Sequence, residues 1–178
     1  MTKSVFPKDF YWGASVASHQ VEGGTVNQWS EWELAHASEL AKSAKQRLQH
    51  IVADWDSVKV HAENPNNYVS ANGVNHYARY QEDFDIAKKL NLNAFRFSIE
   101  WSRIEPTEGQ WDEDAVEHYR QYIRELRNRG MEPFLNIWHW TMPTWFVAKG
   151  EFKKGSNLKY WRRFVQKIAD EYASELKY

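Results

Sequence analysis

The sequence has no cysteine, so no disulfide frame and no thiol chemistry is open to it. Charge of one sign is also missing. The 23 Lys and Arg are matched by 24 Asp and Glu, a net charge of −1, which excludes the basic footprint of a nucleic-acid or anionic-membrane binder. No run of 18 apolar residues exists, so no transmembrane helix is expected. Met1–Pro7 is not followed by the apolar core of a signal peptide, and with the absent cysteine this predicts a cytoplasmic protein. The seven histidines are scattered, without a His-x-x-x-His pair on a helix. His36 and His50 stand too far apart to share an ion, so neither a metal nor a cofactor is expected. What the chain does have is tryptophan: 10 Trp beside 9 Tyr and 9 Phe in 178 residues. A chain this rich in indole either packs an aromatic core or binds flat ligands.

The densest stretch is Asn136–Phe146, Asn-Ile-Trp-His-Trp-Thr-Met-Pro-Thr-Trp-Phe. The segment before it, Met131–Ile137, is short and apolar and follows Gly130, the pattern of a buried parallel strand. Pro143 ends any ladder. His139 and Trp140 therefore fall where a strand gives way to a loop, the place where parallel α/β folds bind ligands. An indole face beside an imidazole suits a ligand with one flat apolar side and many hydroxyls, such as a sugar ring; the same aromatics would also serve as core.

Read in order, Phe10–Ala17 predicts a first buried strand, and Gly23 and Gly24 mark a turn that needs positive φ or close backbone approach. Gln20 lies just past that strand. Its amide can bond two vicinal hydroxyls, or satisfy loop backbone. Residues 27–75 form a long connection with a helix from Glu31 towards Leu48, opened by a Ser30/Glu33 capping box. Asn75–Leu90 is amphipathic, with Tyr77, Tyr80, Phe84, Ala87 and Leu90 on one side. Phe95–Trp101 alternates: Phe95, Phe97, Ile99 and Trp101 share one face, Arg96, Ser98 and Glu100 the other. An inward Arg and Glu predict mutual pairing for Glu100, whereas Arg96 also suits a cation that holds carboxylates ionised near a reaction centre. Asp112–Arg129 is the next helix, its inner face Ala115, Tyr119, Tyr122, Ile123 and Leu126. Glu132–Trp138 is the third strand. A last helix, capped by Ser156 or Asn157, carries Leu158, Trp161, Phe164, Ile168, Tyr172 and Leu176 and runs to Tyr178. Strand and helix alternate three times, which predicts βαβ units and a parallel sheet.

Four stretches in order resemble family 1 of the glycoside hydrolases, the β-glucosidase and β-galactosidase barrels. They are Phe10–Ser15 with Ser18–Gly23, His76–Tyr80 with Glu82-Asp83, Phe95–Ile104, and Trp138–Pro143. They touch almost the whole chain. The resemblance implies an α/β fold, the (β/α)8 TIM barrel, of which residues 1–178 supply strands and helices 1–3. It implies a retaining mechanism with two Glu about 5 Å apart, one acid/base and one nucleophile. It implies that Gln20, His139 and Trp140 bind the substrate's sugar and that Arg96 supports the nucleophile.

One departure stands out. The family's acid/base sits in Thr-x-Asn-Glu-Pro at the fourth strand, its nucleophile at the seventh, and residues 1–178 contain neither; Glu63-Asn64-Pro65 does not match. No catalytic carboxylate is expected on this chain, and Glu22 and Glu100 do not fill those positions. Three units leave two unpaired sheet edges, so the expected partner is a second polypeptide with the remaining five βα units, the break falling in an αβ loop. The function expected is the sugar-binding part of a β-glycosidase, inactive alone. The alternatives are a non-catalytic carbohydrate-binding or assembly module, or an inactive fragment.

Overall fold

A computed structural model describes residues 5–178; Met1–Ser4, the start of the segment read above for a leader, lie outside it. A parallel sheet stands at its centre, in the order β1 (Gly13–Ser15), β2 (Ala94–Ser98), β3 (Glu132–Asn136). Its register pairs Ser15 with Arg96, and Arg96 with Phe134. Nine α-helical segments join the strands among the described residues: α1 (Ser18–Val21), α2 (Gln28–Lys42), α3 (Ala44–Leu48), α4 (Trp55–Ala62), α5 (His76–Lys89), α6 (Trp101–Ile104), α7 (Glu113–Asn128), α8 (Thr144–Ala148) and α9 (Leu158–Tyr172).

Periodicity explains the core. Phe95 and Phe97 leave β2 on the outer face and meet α5 and α7, with Phe84–Phe95 ring centres 5.2 Å apart and Phe97–Tyr122 4.6 Å apart. The predicted inner face of α7, Ala115, Tyr119, Tyr122, Ile123 and Leu126, is buried throughout. α9 buries Phe164, Ile168 and Tyr172 against it, and the Tyr172 hydroxyl donates to the Val116 carbonyl at 2.8 Å. Each large apolar side chain removed from water here contributes about 1.5–3 kcal/mol. Asp112 caps α7 by accepting from the Ala115 N–H at 3.0 Å. The opposite face of the sheet is exposed at Arg96 and closed at Ser98. Arg96 lies on it, exposed, and donates to Ser15 Oγ at 3.0 Å.

The structure corrects several expectations. β1 spans three residues, and Phe10, Tyr11 and Trp12 are 38–49% exposed rather than buried. Among the described residues no strand pairs with the outer edge of β1, and these rings are covered only in part, by one another and by Phe6, Phe134 and Tyr178. Trp12 is held instead by the loop before β2, its carbonyl accepting from Asn93 and Ala94. The predicted 31–48 helix is two, broken at Ser43, whose hydroxyl turns back on the Glu39 carbonyl at 2.8 Å. Its cap is Asn27, not Ser30, which sits at the third helical position and completes the box from there. β2 ends at Ser98, and Trp101 opens α6 with Glu100 as its cap. β3 stops at Asn136 and is half-buried, as befits an edge. Leu90 falls past the end of α5 and is exposed. The last helix ends at Tyr172. Leu176 is already extended, and the Leu135 N–H donates to the Tyr178 carbonyl at 3.3 Å, while the Tyr178 ring stacks on Phe134 at 4.6 Å. Residues 176–178 thus run beside β3 and are not the αβ loop the sequence reading assumed.

Candidate functional site

The carboxyl ends of β1 and β3 open onto a cleft of about 400 Å³, walled by Ala17, His19, Gln20, Trp29, Glu33, Ser70, His139, Trp140 and Thr141. Gln20, His139 and Trp140, singled out from separate parts of the sequence, are brought together here. Arg96 is not in this wall. It stands two residues below the end of β2, on the face away from Phe95 and Phe97.

Each element owes its place to a local device. The turn that presents Gln20 is held by Gly23, whose φ is +80° and where a Cβ would strike the Asn72 carbonyl. Beside it Glu22 is buried. Its carboxylate takes the Arg103 Nε–H at 2.9 Å and the Tyr119 hydroxyl at 2.8 Å, and Arg103 also donates to the Gly23 carbonyl. Burial pushes the Glu22 carboxyl up to about 7 against the pull of Arg103 and Tyr119.

His19 joins the turn to the long connection. Its Nε2–H faces Glu33 Oε1 at 3.2 Å, while Nδ1 accepts from Asn27 Nδ2 at 3.2 Å, with Thr25 Oγ1 also 3.2 Å away. The Ser70 N–H and hydroxyl donate to the two Glu33 oxygens at 2.8 and 2.9 Å. Burial alone would raise the Glu33 carboxyl, but the Ser70 and His19 bonds outweigh it and hold it below its ordinary range. Glu33 is therefore an ionised strut in the cleft wall, not a proton donor.

The expected Arg96–Glu100 pairing is absent. Glu100 is fully buried and accepts from Ser18 Oγ at 3.0 Å, Ser102 Oγ at 2.8 Å and Thr141 Oγ1 at 2.8 Å. It caps α6, so its backbone has left the ladder that would have aimed it beside Arg96. One carboxylate thereby ties the start of α1 to the loop after β3, the two halves of the cleft. In that loop His139 is half-buried, with Asn136 Nδ2 3.3 Å from its Nδ1. Trp140 is 69% exposed and carries a φ of +73°.

Sequence reasoning missed His19, Glu33, Ser70, Trp29 and Thr141 as parts of the wall. The only available signal was the adjacency of His19 to Gln20 and of Thr141 to Trp140. Nothing in the sequence links Ser70 to residues 37 and 51 positions away. Among the described residues, no group of three or more His, Asp or Glu is placed to hold a metal ion, and no helix is long and apolar enough to cross a membrane.

Comparison with known proteins gives this geometry a family. A model described as Glycosyl hydrolase family 1 matches residues 2–178. "Beta-glucosidase A" of Acetivibrio thermocellus is 29% identical over 172 residues, 94% of this chain and 34% of that protein. "Probable inactive beta-glucosidase 25" of Arabidopsis thaliana is 33% identical over 180 residues, 97% of this chain and 30% of that protein. Among solved structures, a β-glycosidase from Pyrococcus horikoshii superposes with a TM-score of 0.72 at 32% identity, covering 93% of this chain and 33% of that one. The chain spans about a third of the length of the curated relatives it matches. Its three βα units are accordingly an arc of the eight-stranded barrel.

Proposed function

Because the chain belongs to glycosyl hydrolase family 1, we propose that it is the sugar-binding part of a retaining β-glycosidase acting on the O-glycosidic bonds of β-glucosides or β-galactosides. The observation that carries this reading is the convergence of an exposed indole, an imidazole and a free primary amide on one cleft at the strand ends. Trp140 offers its face to the apolar side of the ring, and Gln20 and His139 bond its hydroxyls. Arg96, exposed on the sheet face away from α5 and α7, supports the nucleophile.

The chemistry needs two carboxyl groups about 5 Å apart, one to attack and one to protonate the leaving oxygen and then activate water. Glu22, Glu33 and Glu100 are already committed to Arg103 and Tyr119, to Ser70 and His19, and to three hydroxyls. In our reading both catalytic Glu come with the five remaining βα units, carried by a second polypeptide in the same, cytoplasmic compartment. Residues 1–178 then form the N-terminal part of the barrel, with the 27–75 connection shaping the cleft rim through Trp29, Glu33 and Ser70. Two features support the need for a partner. Phe6, Phe10 and Trp12 are exposed and stack on one another at 4.7–4.8 Å beside the β1 edge, and Tyr11 and Tyr178 are half-exposed beside Phe134. Closing the barrel would cover them and pair both edges.

A non-catalytic sugar-binding or assembly module is the second reading, favoured by the relative whose name calls it inactive. Size exclusion and intact mass analysis of the chain purified from its native source separate the two. Co-elution with a polypeptide bearing Asn-Glu-Pro supports the glycosidase; a stable, well-folded monomer with no such companion supports the module.

A further inference from the structure

The geometry points to Gln28 as the residue that positions Trp140. The inference rests on reading Trp140 as the sugar platform and adds what sets its orientation. At φ +73° Trp140 occupies the left-handed region, which a side chain of this size disfavours about tenfold or more. The Thr141 N–H donates to the His139 carbonyl at 2.9 Å, closing a three-residue turn around Trp140 of the rare, strained kind. Packing of the indole does not hold it there. The residue is 69% exposed, and its ring partner Trp138 is tilted with centroids 5.7 Å apart.

The restraint comes from 112 positions earlier in the chain. Gln28 Nε2 donates to the Trp140 carbonyl at 3.0 Å, and its Oε1 accepts the Met142 N–H at 2.5 Å. Its own backbone N–H donates to the Met142 carbonyl at 3.2 Å. One primary amide thus grips the carbonyl of Trp140 and the N–H of Met142, on the two successive peptides that flank Thr141. Glutamate lacks the donor, lysine lacks the acceptor, and asparagine is a methylene short. Gln28 is itself fixed, as the first residue of α2, by the fully buried Asn27, whose side chain accepts from the Trp29 and Ser30 N–H groups at 3.0 and 2.9 Å. The other bonds in this loop, Trp138 Nε1 to the Thr141 carbonyl and Thr141 Oγ1 to Glu100, secure Thr141 but not the Trp140 carbonyl. Gln28 is not in the cleft wall, so it acts through Trp140 as a positioning residue.

The test is a double-mutant cycle with a spectroscopic readout. Glycine adopts positive φ without penalty. Trp140→Gly should therefore favour folding about tenfold more in urea unfolding when Gln28 is present than in the Gln28→Ala background, where the turn is free to relax. With 5-fluorotryptophan incorporated, and Trp140 assigned from Trp140→Phe, the Trp140 resonance should shift in Gln28→Ala while those of the core residues Trp101 and Trp145 stay in place. If Gln28→Ala fails to fold, Gln28→Glu, which keeps the Met142 acceptor and loses only the donor to Trp140, serves for both readouts. Equal effects of Trp140→Gly in the two backgrounds, or an unmoved Trp140 resonance, overturn the inference. No sugar enters either measurement, so its failure leaves the glycosidase reading standing, and a chain that binds no glycoside leaves the Gln28 result standing.

Discussion

Replacing Glu100 tests how the cleft is held together. Its carboxylate is fully buried and has no cationic partner among the described residues; three hydroxyls and one weak N–H surround it instead. A hydrogen bond to a charged acceptor contributes about 1.5–3 kcal/mol, and a hydroxyl left without a partner costs about 1–3 kcal/mol. Of the three hydroxyls, Ser18 Oγ has Ser98 Oγ as a substitute at 3.1 Å, so two are orphaned in Glu100→Ala. Relief of the buried charge offsets part of that loss. The net expectation is a destabilisation of about 3 kcal/mol for Glu100→Ala and about 1 kcal/mol for Glu100→Gln, whose amide keeps the shape and lets the hydroxyls rotate to accept. Urea unfolding followed by far-UV circular dichroism reads both. A Glu100→Ala variant within about 0.5 kcal/mol of the parent would mean that desolvation of the carboxylate cancels its hydroxyls, and the clamp argument would fail.

A buried carboxyl and a half-buried imidazole should give the chain opposed pH responses. Burial raises Glu22 from 4.5 to about 7, so its contribution is full below pH 4.5 and lost as pH rises through 7. Burial against Tyr77, with Arg103 and His76 nearby, lowers His118 from 6.5 to about 4, so its contribution is full above pH 6.5 and lost as pH falls through 4. Each proton moves the folding equilibrium by up to about tenfold per pH unit in its window. Relative to the parent, Glu22→Gln should lose stability on acidification from pH 6.5 to 4.5, and His118→Phe should gain it; parallel profiles would refute the assignment. In a barrel completed with the five remaining βα units, Gln20→Ala or His139→Ala should lower turnover of an aryl β-glucoside by about tenfold or more. Parent rates in those variants would remove both residues from the site.

Much of this was legible in the sequence where one physical rule acted alone. The faces of α7 and α9 follow from the spacing of Tyr119, Tyr122, Leu126, Phe164 and Ile168, and the strand-end position of His139 and Trp140 follows from the apolar run before them. Gly23 reads as a positive-φ turn and is one. What was not legible depends on distant partners. Glu100 looked like a mate for Arg96 because the alternation of β2 was carried past Ser98, where the chain had already turned into α6. Ser30 looked like a cap because Asn27, one turn earlier, has the same chemistry and the better position. Phe10–Trp12 read as a buried strand because apolar composition does not tell a covered edge from an open one. Nothing about a tryptophan announces positive φ. The Gln28 clamp that accompanies it joins residues more than 100 positions apart, which only the folded chain brings together.

The proposed function turns on one point: residues 1–178 bind the sugar and carry neither catalytic carboxylate. The most direct measurement is hydrolysis of an aryl β-glucoside by the purified chain, by a polypeptide carrying the five remaining βα units with Asn-Glu-Pro, and by the two mixed. The account predicts no turnover from either alone and turnover that saturates as the chain is titrated into its partner. Turnover by residues 1–178 alone, or a partner whose activity is indifferent to their presence, would contradict it.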